Sequence, residues 1–449
     1  MTTKADHACV FSAFVVAAMT CIPTPTDASD AKPIVVHTSV ELLAAIDQKS
    51  AHQSIRLTPG DYPIDRALVL GDDVALVGSG VMLFDADGLP RGFEPGTQTI
   101  ISPAAGFNGD LVTMGNRTSI RGVFLRDLED DPAHDVHRAG NVVVVASRAP
   151  GDAITASIVE CEIFNPNPFS FDSEGPTGHA LAVFTRNPAL QEPPPPHEGA
   201  AVSVTLERSS VHATGNGGVV FIGNFAARGR LHVALNHNRL EGPLTATAAA
   251  NRPDPVTRAE AQLESDHNLF IASAASHTQG WFIFGASSSP HHLAGDLAGP
   301  SFNAFHLNSS DDRIEGFAVG ISAAVARRVL AGSGPVSNNL LDLDLRRLRI
   351  RTEGDAAADL KFYAAVSEQD QTGSQEFLPG NGNILRVRIQ GATGSGIRAN
   401  EYVPVAGPQL PSNRGVGNRI EFIGDPAEFA RSNSGFEPLP PAAYFGDER

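Results

Sequence analysis

An asparagine followed two and four residues later by mostly apolar side chains recurs along the second half of the chain. It stands at Asn238, Asn268, Asn303, Asn339, Asn383 and Asn418, in steps of 30, 35, 36, 44 and 35 residues. The +2 positions hold Leu240, Phe270, Phe305, Leu341, Leu385 and Ile420, and the +4 positions Gly242, Ala272, Leu307, Leu343, Val387 and Phe422. Period-two alternation marks a short strand, and its return at near-constant spacing marks a solenoid with one supersecondary unit per repeat. A second strand is expected fourteen residues past the asparagine, where Phe282, Phe317 and Ile397 stand. In the 44-residue repeat the matching residue is Phe362 at +23, so nine extra residues fall between the strands. Solenoids tolerate such insertions because loops project from a stacked core that stays intact.

The same alternation continues upstream at 55–57, 74–77, 119–125, 140–146 and 202–206. Residues 41–48 are short and amphipathic, and are expected to form a helix over the open N-terminal end of the stack. Without such a cap that end would expose core and unpaired strand edges. With 43 glycines and 32 prolines the chain is turn-dense, and 42% hydrophobic residues suffice for a core, which excludes a disordered chain. Residues 1–31 read as a secretory signal: one lysine, an uncharged run from Cys9 to Pro23, then small residues ending in Ser29-Asp30-Ala31. Asp6 departs from the usual basic start. No later stretch reaches transmembrane length. One elongated domain over 32–425, a C-terminal cap or tail over 426–449, and a secreted or periplasmic location follow. Removal of the signal leaves Cys161 as the sole cysteine, so no disulfide framework is available. Its alternation with Glu160 and Glu162 makes it a small core residue. A net charge of −17 repels nucleic acid and anionic membranes, and disfavours naked polyanions unless a cation intervenes.

The run Leu57-Thr58-Pro59-Gly60-Asp61-Tyr62, then Val74-Ala75-Leu76-Val77-Gly78-Ser79-Gly80, then Thr118-Ser119-Ile120-Arg121-Gly122-Val123 resembles the opening of pectin-lyase-like right-handed parallel β-helix proteins. The resemblance implies an all-β fold of three stacked parallel sheets and, commonly, action on extracellular polysaccharide. That family also holds non-enzymatic members. The polygalacturonase-like paired aspartates with Gly-His-Gly and Arg-Ile-Lys are missing, as are the pectate-lyase-like Trp-Ile-Asp-His and Arg-x-Pro-x-x-Arg.

Equal offsets in successive coils stack about 4.8 Å apart, and odd offsets from the asparagine face outward. The +3 column reads Glu241, Ile271, His306, Asp342, Arg386 and Glu421, and the +5 column Pro243, Ser273, Asn308, Asp344, Arg388 and Ile423. His306, Asp342, Arg386 and Glu421 are therefore the candidate catalytic group, with Asn308, Asp344 and Arg388 as candidate substrate ligands. His212 extends the patch if Ser209 marks the preceding coil. In a hydrolase one carboxyl would protonate the leaving oxygen and another activate water, with Asp342 and Glu421 roughly 9–10 Å apart on the strand spacing. In a lyase Arg386 or His306 would act as base. The opposing reading is an ion-pair ladder, Asp342 over Arg386 and Asp344 over Arg388, on a non-catalytic surface or structural solenoid. Trp281, beside the core residue Phe282, is the best candidate for stacking on a sugar. No cofactor is required, but the acidic run holding Asp130, Asp131 and Asp135 offers oxygen ligands for calcium. The expected partner is a glycan.

Overall fold

The computed structural model describes residues 32–48, 52–129, 140–168, 170–172, 175–185, 198–214, 218–249, 258–273, 279–288, 301–328, 336–353, 358–367, 380–393, 397–404, 416–423 and 431–432. The expected signal segment lies outside the described residues. Successive coils feed three parallel sheets of twelve, nine and eleven strands, here called sheets I, II and III. One coil runs Glu260–Asp266 in sheet I, Leu269–Ile271 in sheet II and Gln279–Ser288 in sheet III. The next begins at Ala304–Ser310, hydrogen-bonded in parallel register to Glu260–Asp266. This is the parallel β-helix that the sequence implied.

Alternation decides which side chains are inside. In sheet I the register stacks Ala156, Val204, Val233, Leu263, Leu307, Leu343, Val387 and Phe422 into one inward column. All but Phe422 are almost fully buried. Cys161 is also fully buried, and desolvation pushes its thiol up to about 12, so it is an inert core residue. The N-terminal helix α1, Ser39–Asp47, covers the end of the stack with Leu42 and Ala45 buried. Thr38 caps it by accepting from the Glu41 N–H at 3.2 Å, and the Gln53 amide donates to the Ala45 carbonyl at 2.9 Å. At the other end Arg431–Ser432 adds a strand to sheet III beside Ile397–Pro404. No helix among the described residues is long and apolar enough to cross a membrane.

The corners at both ends of the sheet I strands are left-handed. Arg258, Phe302 and Asn338 precede a strand with φ of 56°, 62° and 58°, and His237, His267, Asp311 and Arg347 follow one with φ of 55°, 55°, 56° and 52°. A left-handed non-glycine residue costs about 1–3 kcal/mol. It also turns the next backbone N–H away from the strand ladder, and in this chain the following side chain answers that need. After the strand, Asn238 Oδ1 accepts the Ser209 N–H, Asn268 Oδ1 the Asn238 N–H, and Asp312 Oδ1 the Asn268 N–H, at 2.7–3.0 Å. Before the strand, Asn303, Asn339, Asn383 and Asn418 each accept the N–H one coil earlier, at 3.0–3.2 Å. Side chains therefore satisfy buried backbone donors that would otherwise be orphaned.

There are thus two asparagine ladders, not one, and the sequence period joins them. Asn238 and Asn268 follow a sheet I strand, whereas Asn303, Asn339, Asn383 and Asn418 precede one. The coil steps are 30 and 44 residues along the first ladder and 36, 44 and 35 along the second. The apparent 35-residue step from Asn268 to Asn303 crosses between ladders. Glu241 and Ile271 consequently lie in sheet II, paired with each other. The second-strand marker shifts as well. Phe282 pairs with Ser322 while Phe362 pairs with Ala323, one position apart, and Phe317 is a buried residue between strands.

Asp312 is the chemical exception in the first ladder. It is completely buried, and desolvation raises its carboxyl to about 6 against hydrogen bonds from Ser265, Ser309 and Asn268. The native state therefore holds a proton that the unfolded chain has released, so stability falls as pH rises from about 4 to 6. Above pH 6 the buried charge costs roughly 3 kcal/mol. Asp312→Asn extends the amide ladder without that charge, and is expected to raise thermal stability at pH 7.5 but hardly at pH 4. The opposite is expected of Asn339→Ala. It strands the N–H of Asn303 and loses about 2–4 kcal/mol at any pH, measurable by denaturant titration across pH 4–8.

Candidate functional site

The outer face of sheet I carries the functional candidates, and its register decides their neighbours. The column that holds His306 runs Thr155, Ser203, His232, Gln262, His306, Asp342, Arg386 and Glu421. The next outward column runs Ser157, Thr205, Ala234, Glu264, Asn308, Asp344, Arg388 and Ile423. His306 thus sits at a junction between two chemically different halves.

On the C-terminal side the charges are used against one another. Asp342 lies 3.8 Å from His306 Nδ1 and 3.7 Å from Arg386, which reaches Glu421 at 3.3 Å. Arg388 lies 3.2 Å from Asp344, which also pairs with Arg346. Arg346, then Arg388, hold the Asp344 carboxyl below the usual carboxylate range, and Arg419, then Arg386, do the same for Glu421. A general acid at neutral pH needs a carboxyl moved the other way, so Glu421 is poorly suited to protonate a leaving group. Asn308 is exposed between Glu264 and Asp344.

On the N-terminal side the same face opens into a groove of about 530 Å³, reaching from Ala153–Thr155 across three strands to Ala304–His306. In the column preceding the polar one, small Ala153, Ala201 and Ala304 leave room on the outer rungs, and the longer Arg230 and Glu260 line the middle. Its polar lining includes Thr155, Ser203, His232, Gln262 and His306. Ser203 Oγ lies 3.2 Å from His232 Nδ1, and His232 Nε2 lies 3.6 Å from Glu264 Oε1. The Gln262 amide donates to the same Glu264 oxygen at 2.8 Å. His232, against the opposing cost of burial, holds the Glu264 carboxyl below its ordinary range, so Glu264 stays ionised and acts as an acceptor.

Of the predicted group, only His306 lines this groove. His232, Gln262 and Glu264 were missed because the merged ladders pointed the +3 and +5 offsets of Asn238 and Asn268 into and beyond sheet II. The available signal was the alternation in Arg230–Asn236 and Glu260–Asp266, whose even-numbered residues are polar apart from Ala234 and face out. His212 belongs to sheet II, 3.3 Å from Glu162. Trp281 is overturned as a sugar platform. It is 1% exposed and points into the core, its ring 5.7 Å from Phe270. Its outward neighbour Phe282 is also buried, its ring 4.5 Å from that of Phe284.

The calcium candidates Asp130, Asp131 and Asp135 lie outside the described residues. Among the described residues Asp266, His267 and Asp311 offer ligand atoms within 4.8 Å of one another. Their charges already have partners: Asp311 with Arg347 at 2.7 Å, Asp266 with Ser310 and His267.

If the C-terminal columns are an exposed ion-pair ladder, Arg386→Ala should cost no more than about 1 kcal/mol of stability. Denaturant unfolding in low and high salt checks this, and the difference should shrink in salt.

No protein-family model and no curated protein sequence matches the chain. Among solved structures it is similar to the Agl-KA catalytic domain, with 10% identity and a TM-score of 0.42, over 86% of this chain and 65% of that one. The chain thus spans less than two thirds of that structure's length. A pectin methylesterase solved in complex with a hexasaccharide is similar at 8% identity and a TM-score of 0.31, over 74% of this chain and 91% of that one. On its own strand register, the chain has a three-sheet parallel β-helix fold.

Proposed function

We propose that the groove on sheet I binds an extracellular or periplasmic polysaccharide and cleaves it by base-led chemistry. The observation that carries this reading is the groove itself, an open channel across five strands, Ala153–Val159 to Ala304–Ser310, lined by hydroxyl, amide, imidazole, guanidinium and carboxylate groups. An extended sugar chain advances by about one strand spacing per residue, so successive rungs can present one polar contact to each unit. Among the described residues the lining has no aromatic platform, so recognition rests on hydrogen bonds. The acidic net charge favours a neutral or partly esterified glycan over a fully ionised one. The family resemblance of the N-terminal coils points the same way.

Within this groove β-elimination asks least of the residues present. Arg230 would neutralise a uronate carboxyl, and the His306 imidazole, oriented by Asp342, would take the adjacent ring proton. The freed electron pair forms the ring double bond as the glycosidic carbon–oxygen bond breaks, and the leaving oxygen takes a proton back from the imidazolium or from water. Hydrolysis would need a protonated carboxyl; Glu264, beside the groove, is held in the opposite state, and Glu260, in its lining, would have to supply the acid alone. Calcium would assist by bridging an acidic sugar to this acidic protein.

A panel of neutral, acidic and sulfated glycans, with and without calcium, tests the reading. Reducing ends and the ultraviolet absorbance of unsaturated uronides are followed together. The expected result is product with the absorbance rise, with kcat reduced at least about 100-fold in His306→Ala and KM raised in Arg230→Ala. Reducing ends without absorbance would mean hydrolysis, and silence with every glycan would leave a non-catalytic solenoid.

A further inference from the structure

We propose that Ser203, His232 and Glu264 form a nucleophile–base–carboxylate relay that removes small O-acyl groups from the glycan held in the same groove. This rests on the glycan reading of the groove but not on elimination at His306, which stands two rungs, roughly 9–10 Å, from His232.

Three observations support it. Ser203 and His232 sit directly opposite on neighbouring strands, with Oγ 3.2 Å from Nδ1. Ionised Glu264 faces the other ring nitrogen at 3.6 Å, which favours the tautomer protonated at Nε2 and leaves Nδ1 free to accept the Ser203 proton. Gln262 donates to Glu264 at 2.8 Å and so fixes the carboxylate. The surroundings of Ser203 also select the group. Ala201 precedes it by two residues on the same face, and Ala153 and Thr155 occupy the next rung. That floor suits a methyl-sized acyl chain, and Thr155 and Arg230 supply donors beside the nucleophile.

The steps balance as ester plus water giving alcohol plus carboxylic acid. Ser203 Oγ attacks the acyl carbonyl carbon while its proton moves to His232 Nδ1, and Glu264 stabilises the imidazolium. The oxyanion is met by the Thr155 hydroxyl and Arg230. The bond from carbonyl carbon to sugar oxygen breaks, and that oxygen takes the proton from His232. Water then attacks the acyl-serine with His232 as base, releasing the acid and restoring Ser203.

The test uses the full chain with acetylated xylan, acetylated uronan, methyl-esterified uronan and 4-nitrophenyl acetate, following acetate, methanol and nitrophenol. A fluorophosphonate label located by peptide mass spectrometry gives a readout independent of turnover. The expected result is acetate release without methanol, a fluorophosphonate adduct on Ser203, and a loss of at least about 100-fold in kcat in Ser203→Ala and His232→Ala. Glu264→Gln should keep the fold by circular dichroism and lose about 10-fold or more. Glycan retention in affinity gels separates the two readings. Retention without acetate release or a Ser203 adduct overturns the relay and leaves the glycan reading standing. A Ser203-dependent nitrophenol signal without retention of any glycan supports the relay and overturns the glycan as its substrate. Methanol in place of acetate overturns the O-acyl assignment.

Discussion

The structure depends on how a β-helix turns its corners without orphaning backbone donors. From Glu260–Asp266 to Ile384–Gln390 each sheet I strand is bounded by left-handed residues, and at the ladder positions the N–H that follows has no strand partner. Buried side-chain amides bridge these positions from coil to coil, Asn238 to Asn268 to Asp312 on one side and Asn303 to Asn339 to Asn383 to Asn418 on the other. Each bond is worth about 1 kcal/mol, but an unmet buried donor costs more, so the ladders lock strand register. Coil length can then vary from 29 to 48 residues without disturbing the sheet.

Locked register turns sequence position into surface chemistry. Because the strands of sheet I stay aligned, a residue type at one position becomes a column, and the columns differ between the two halves of the face. Opposite charges alternate through Asp342, Arg386 and Glu421 and consume one another. Small residues at Ala153, Ala201 and Ala304 hollow out the other half, where polar groups keep a free edge toward solvent. The same scaffold thus carries an ion-pair ladder at one end and an open polar groove at the other.

Much of the fold was legible because the alternation is strict where one face is buried and the other is wet. The last four coils share one ladder, and their outward residues His306, Asp342, Arg386 and Glu421 fell in one column as read from the sequence. The upstream coils were harder because ladder chemistry changes. Ser209 and Asp312 replace asparagine on one side, and Gly229 and Ala259 on the other, so a pattern built on asparagine alone stepped from one ladder to the next. That slip hid His232, Gln262 and Glu264. Trp281 was misread for a different reason: sheet III is buried on both faces, with Phe184, Phe221 and Phe225 clustered outside it. There apolarity no longer reports which way a side chain points.

The central claim is that the groove, and not the charge ladder, holds the ligand. Carbene footprinting of the full chain with and without a retained oligosaccharide tests it most directly, since the label reads side-chain exposure. The account predicts that labelling falls at Ala201–Glu207, Arg230–Asn236 and Glu260–Asp266 and is unchanged at Ile384–Gln390 and Arg419–Ile423. Protection of the last two strands with the first three unaffected would contradict it.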